Sequence, residues 1–138
     1  MLTKFRNPDI PSEVKTASLL IISYGITVII LALWYGITNN FYDIKDYVRP
    51  IGRFIAMVCI GWWLLSLDKK SWWFAIISCL WLFLFGVIGL VSLLIASFST
   101  SEYDLNFLWL GIRVIIPVYL LGHAGFILSK KATRNYFR

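Results

Sequence analysis

Four apolar stretches, each about as long as a bilayer is thick, take up most of this 138-residue chain: residues 17–38, 50–67, 72–98 and 107–129. The hydrocarbon core of a membrane is about 30 Å thick and a helix rises about 1.5 Å per residue. Each stretch is therefore long enough to cross, the second at the lower limit and the third with tilt. Apolar residues make up 59% of the chain and charged residues 14%. A soluble domain carries about 25% charged residues, so a water-soluble core is excluded as a reading of this composition. The expected fold is all-α, an integral membrane antiparallel four-helix bundle forming one domain over residues 1–138, with short cytoplasmic tails at both ends. The first stretch is too long for a signal-peptide core and no small-residue cleavage site follows it, so it is expected to be retained.

The formal charge of +6 sorts by position. If the N-terminus is cytoplasmic, the inner segments hold Lys4, Arg6, Lys15, Lys69, Lys70, Lys130, Lys131, Arg134 and Arg138 against Asp9, Glu13 and Asp68. The outer segments hold Lys45, Arg49, Arg53 and Arg113 against Asp43, Asp46, Glu102 and Asp104, and balance to zero. Such a bias of basic flanks predicts both termini inside and loops 39–49 and 99–106 outside. The charge thus reads as a topology signal, and no nucleic-acid partner is expected. Aromatic residues collect at the same boundaries, Trp34, Tyr35, Phe41, Tyr42 and Tyr47 at one and Trp72 and Trp73 at the other. Amphipathic rings favour the headgroup level, which makes them expected anchors.

Local signals set the helix boundaries. Pro11, Ser12 and Glu13 suit a helix N-terminus that runs into the first span, and Pro50 is placed to start the second. The short 68–71 turn predicts that spans two and three are antiparallel neighbours. Cys59 and Cys79 would then lie at similar depth and face one another as soft apolar residues, without a C-x-x-C motif.

No Asp or Glu lies inside any span, which argues against proton-coupled transport through an intramembrane carboxylate. Arg113 is the polar group that stands out. It lies about one and a half turns into span four, ahead of Pro117, and its charge must be paired, hydrated or snorkelled outward. Arg53 enters span two from the same side, so Arg53, Arg113, Glu102 and Asp104 form a candidate salt-bridge cluster or anionic-ligand site. The single histidine, His123, cannot assemble a multi-His metal centre, and no cofactor or metal is expected. No nucleophile elbow, phosphate loop or dinucleotide fingerprint is present, and no catalytic residue is assigned.

Small residues recur at Ala32-x-x-x-Gly36, Gly52-x-x-x-Ala56 and Ser92-x-x-x-Ala96, with closer pairs at Gly86/Gly89 and Gly122/Gly125. Small side chains on one face let helices approach closely in lipid. Ala32, Gly36, Gly52 and Ala56 are the candidate helix-association residues. The outer end of span one, with Ser23 and Thr27 deeper in, is the expected contact surface for another membrane protein or a second copy.

The entry Pro11-Ser12-Glu13-Val14-Lys15-Thr16-Ala17, the basic-aromatic turn Lys69-Lys70-Ser71-Trp72-Trp73 and the basic tail after span four resemble small, uncharacterised bacterial inner-membrane proteins of four helices. That resemblance implies an inner-membrane location and brings no site residues. Four helices of this length are expected to leave little room for an interior cavity. The expected function is that of a non-catalytic accessory or interaction protein, a subunit of a membrane assembly or an immunity-type protein. The alternative is a small oligomeric channel or carrier with an anionic lipid or ligand site near Arg113.

Overall fold

In the computed structural model, residues 7–39, 44–99 and 105–137 are described; among them the chain is helical, with no strand. Four long helices, α1 (Ser12–Asn39), α2 (Ile44–Leu64), α3 (Lys69–Ser99) and α4 (Leu105–Ser129), are followed by one short turn of helix, α5 (Lys131–Arg134). Helices α1 and α3 are long and apolar enough to cross a membrane over Ser12–Thr38 and Lys69–Ser92, and Val114–Ser129 is a shorter apolar run. Helix α2 falls outside that class. Lys45, Asp46, Arg49 and Arg53 load its first half, and its apolar residues favour one face.

Helix α2 begins at Ile44, six residues before the expected start, so Pro50 stands inside it. Residues 44–49 include the helix-compatible run Lys45-Asp46-Tyr47-Val48, and a proline this near the N-terminus costs only the bond to the carbonyl of residue 46.

The expected 68–71 turn is displaced by a few residues. Leu65, Ser66 and Leu67 close 3₁₀-type bonds back to Trp62, Trp63 and Leu64 at 3.3, 2.9 and 3.2 Å, and Leu67 adopts φ 57°, the left-handed conformation that stops the helix. Asp68 then caps α3. Its carbonyl receives the Trp72 N–H at 3.2 Å and its Oδ1 receives the Lys70 N–H at 3.1 Å, so Lys69, Lys70 and Ser71 already belong to the helix.

The helices run up and down, and their order around the bundle is α2–α1–α4–α3. The α1–α2, α1–α4 and α3–α4 seams are extensive, whereas α2 and α3 meet over a much smaller surface, near their shared turn, where Trp63 lies 5.5 Å from Phe74. The second and third spans are thus antiparallel neighbours, as expected, but they pack over less surface than the other three pairs. A short turn holds two helix ends together but does not force their shafts to pack. The same divergence separates the cysteines: Cys59 is exposed, while Cys79 is buried against the α4 backbone at Gly125.

The core lies toward the end carrying the α2–α3 turn. Val14, Ala17, Ile21 and Tyr24 of α1, spaced three and four apart, pack with Leu64, Trp72, Ala75, Leu121, Ala124 and Leu128. Two side chains tie neighbouring helices here. Buried Ser18 donates its hydroxyl to the Gly61 carbonyl at 2.6 Å, and the Trp72 indole N–H donates to the Leu128 carbonyl at 3.0 Å. Trp72 is thus 6% exposed and part of the core, in contrast to the headgroup anchor expected; its neighbour Trp73 is the exposed one. The C-terminal segment folds back on the same ring. The Phe137 ring lies 6.5 Å from that of Trp72 and the Arg134 guanidinium sits 5.4 Å above it.

Candidate ligand-binding cleft

Away from the turn end the bundle does not close. A cleft of about 940 Å³ lies between the four helices, at the upper end of the range of small-molecule pockets, about 300–1,000 Å³. The bundle thus leaves more room than the little expected for an interior cavity. Space remains because the fourth seam, between α2 and α3, is not sealed along its length.

The floor is set by Tyr24 and Leu121, both buried, where the core ends and the cleft begins. From α1, Val28, Leu31 and Ala32 line one wall; from α3 and α4, Leu82, Phe85, Val114 and Val118 line the other. These walls are apolar. Polar groups come from Tyr24, Tyr35, Tyr47 and Arg53. Arg53 is the only charged side chain on the described lining, an exposed residue one helical turn past Pro50. The carboxylates whose side chains are described, Asp9, Glu13 and Asp68, all stand at the turn end. Leu64 is eleven residues from Arg53, about 16 Å along α2.

Of the predicted cluster, Arg53 is placed on the cleft wall. Glu102 and Asp104 lie outside the described residues. Arg113 lies within α4, next to the lining residue Val114, and its side chain is likewise outside the description.

The small residues divide in an unexpected way. Ala32 and Gly36 face the interior: both line the cleft, and a Cβ at Gly36 would occupy the place of the Tyr47 hydroxyl from α2. Gly36 is thus covered by α2 within the chain, while Leu33, Trp34, Tyr35 and Ile37 around it are exposed. Thr27 likewise donates to the Ser23 carbonyl at 2.8 Å within its own helix. Gly52 and Ala56 lie on the exposed side of α2, with open space beyond Gly52. Gly86 and Gly122 serve the α3–α4 seam, where a Cβ on Gly122 would meet the Phe83 ring at 3.0 Å and one on Gly86 would meet Val118.

Sequence reasoning missed the residues that bring α1 and α2 together. A Cβ on Gly61 would stand 2.7 Å from Ile22 Cγ1, and one on Gly25 would stand 3.2 Å from Met57 Cβ. The available signal was a second glycine in each run, Gly25 in addition to Gly36 and Gly61 in addition to Gly52, with Ser18 seven residues before Gly25. His123 is exposed and stacked on Tyr119, with ring centroids 5.9 Å apart. It takes no part in the cleft, and among the described residues no three His, Cys, Asp or Glu side chains gather as a metal site. Comparison with protein-family models, curated proteins and solved structures finds no match for this chain.

Proposed function

We propose that this chain is a multi-pass membrane protein, without catalysis of its own, that binds an amphipathic molecule from the bilayer in the four-helix cleft. The observation that carries this reading is the cleft itself: apolar walls from α1, α3 and α4, with one charge and three phenols on the described lining. Ligand sites are typically concave and mostly apolar, with a few convergent polar groups.

The outer surface supports membrane insertion. Along α3, Phe74, Ile77, Leu80, Trp81, Leu84, Phe85, Ile88, Val91 and Ile95 are all exposed, and α1 exposes Leu19, Ile26, Ile30 and Leu33. Contiguous apolar surface on this scale is a liability in water and is matched by lipid. The basic flanks favour a bacterial inner membrane with both termini inside. The accessory role remains compatible, with the open side of α2 around Gly52 and Ala56 as the face left for another helix.

The test is gentle extraction of the full chain from its own membrane, followed by native mass spectrometry. A lipid-sized adduct retained by the wild type and lost in Ala32→Phe, which fills the cleft, is the expected result. A wild type that carries no adduct and takes none up from added lipid would overturn the reading.

A further inference from the structure

Resting on that reading, we propose that the occupant is a lipid-class amphiphile with an anionic headgroup, held by Arg53, with its chain lying along the apolar wall between Val28 and Phe85. Three observations lead there. An arginine stays charged in any protein environment, so a guanidinium on an apolar wall requires an anion or water. Arg53 is the only charge on the described lining, and the described carboxylates stand at the turn end, beyond Leu64, about 16 Å along α2. Charge-assisted hydrogen bonds to phosphate or carboxylate are the strong ones an arginine makes.

The unsealed seam sets the route. The α2–α3 contact is much the smallest of the four, so the entry route we infer is the gap between these two helices. Pro50 and Arg53 line one margin of that gap, and Trp81 and Phe85, in edge contact at 5.2 Å, line the other. A lipid enters sideways from the bilayer through this gap, headgroup toward α2 and chain toward α3, without crossing the packed core.

The experiment uses the full-length protein in nonionic detergent with an equimolar mixture of phosphatidylglycerol and phosphatidylcholine of identical chains. Bound lipid is read by native mass spectrometry. The wild type is expected to retain the anionic lipid about tenfold over the zwitterionic one, the ratio for one hydrogen bond to a charged group. Arg53→Gln should abolish that preference while still binding lipid, and Arg53→Lys should keep part of it. Equal retention of both lipids by the wild type, or an unchanged preference in Arg53→Gln, overturns the anionic assignment and leaves the cleft as a general lipid site. Loss of the preference on adding millimolar inorganic phosphate would overturn the lipid source in favour of a soluble anion. If the wild type binds neither lipid, the function proposed above fails as well. Cooperative thermal unfolding of each variant separates these outcomes from misfolding.

Discussion

Ser18 and Gly61 act as a pair. A helix leaves its last four carbonyls without intrahelical partners. At the end of α2 the carbonyls of Trp62, Trp63 and Leu64 are met by the next three backbone N–H groups, and that of Gly61 by the Ser18 hydroxyl. Ser18→Ala leaves a buried acceptor unmatched and is expected to cost about 1–3 kcal/mol in detergent unfolding. The glycine matters because the helices meet at backbone distance. Gly61→Ala places a Cβ 2.7 Å from Ile22 and 3.1 Å from the Ser18 carbonyl, and is expected to destabilise by about 1–3 kcal/mol. Gly52→Ala, which meets nothing within 4 Å, is expected to be neutral or to stabilise by up to about 1 kcal/mol, as alanine outranks glycine in a helix. Thermal unfolding of the two variants side by side checks the opposite signs. Trp72→Phe removes the N–H that satisfies the Leu128 carbonyl together with part of the buried indole, so its loss of stability is expected to combine that bond with the lost packing.

At the level of the elements, the α2–α3 connection is the part most tightly specified by local chemistry. Leu67 takes the left-handed conformation and remains packed against the core, while Asp68 accepts the N–H of the second residue of α3. Asp68→Ala should cost about 1 kcal/mol, the usual worth of an N-cap. Leu67→Val should cost about 1–2 kcal/mol, since a β-branched side chain is poorly tolerated at positive φ. Asp68→Asn, which keeps the acceptor, should be close to wild type. Equal loss from the Ala and Asn variants would mean that the carboxylate charge, and not the cap, is what matters. Beyond the connection, α2 and α3 diverge, and that divergence gives the cleft its open side.

On the scale of the whole molecule, one end is packed and tied while the other holds space. At the packed end Ile10, ahead of α1, and Phe137, beyond α5, are both buried, so the segments flanking the bundle belong to its core. Removing residues 131–138 would uncover Trp72 and is expected to lower thermal stability, a loss that a freely solvated tail would not produce. For orientation, reporter fusions at residues 70 and 138 are expected to report the cytoplasm and one at residue 103 the periplasm, from the bias of basic residues. A periplasmic signal at residue 138 would overturn that topology.

Composition and apolar run length were enough to specify helices without strands, their approximate extents and a surface suited to lipid, because these follow from chain-local chemistry repeated over twenty or more residues. The α3–α4 glycines were also visible as spaced small residues. The extent of each helix contact was not visible: the turn length indicated that α2 and α3 are neighbours, but not that close contacts at Gly61, Gly25 and Gly36 pack α2 mainly onto α1. That choice reverses the meaning of several residues. Ala32 and Gly36 turn inward, Trp72 leaves the interface for the core, and Arg53 comes to line a cleft. Periodicity states which face of a helix is apolar or small, but the partner of that face is decided by shape matching between surfaces distant in sequence. The cleft, being the space left by the one seam that did not match, exists only at that level.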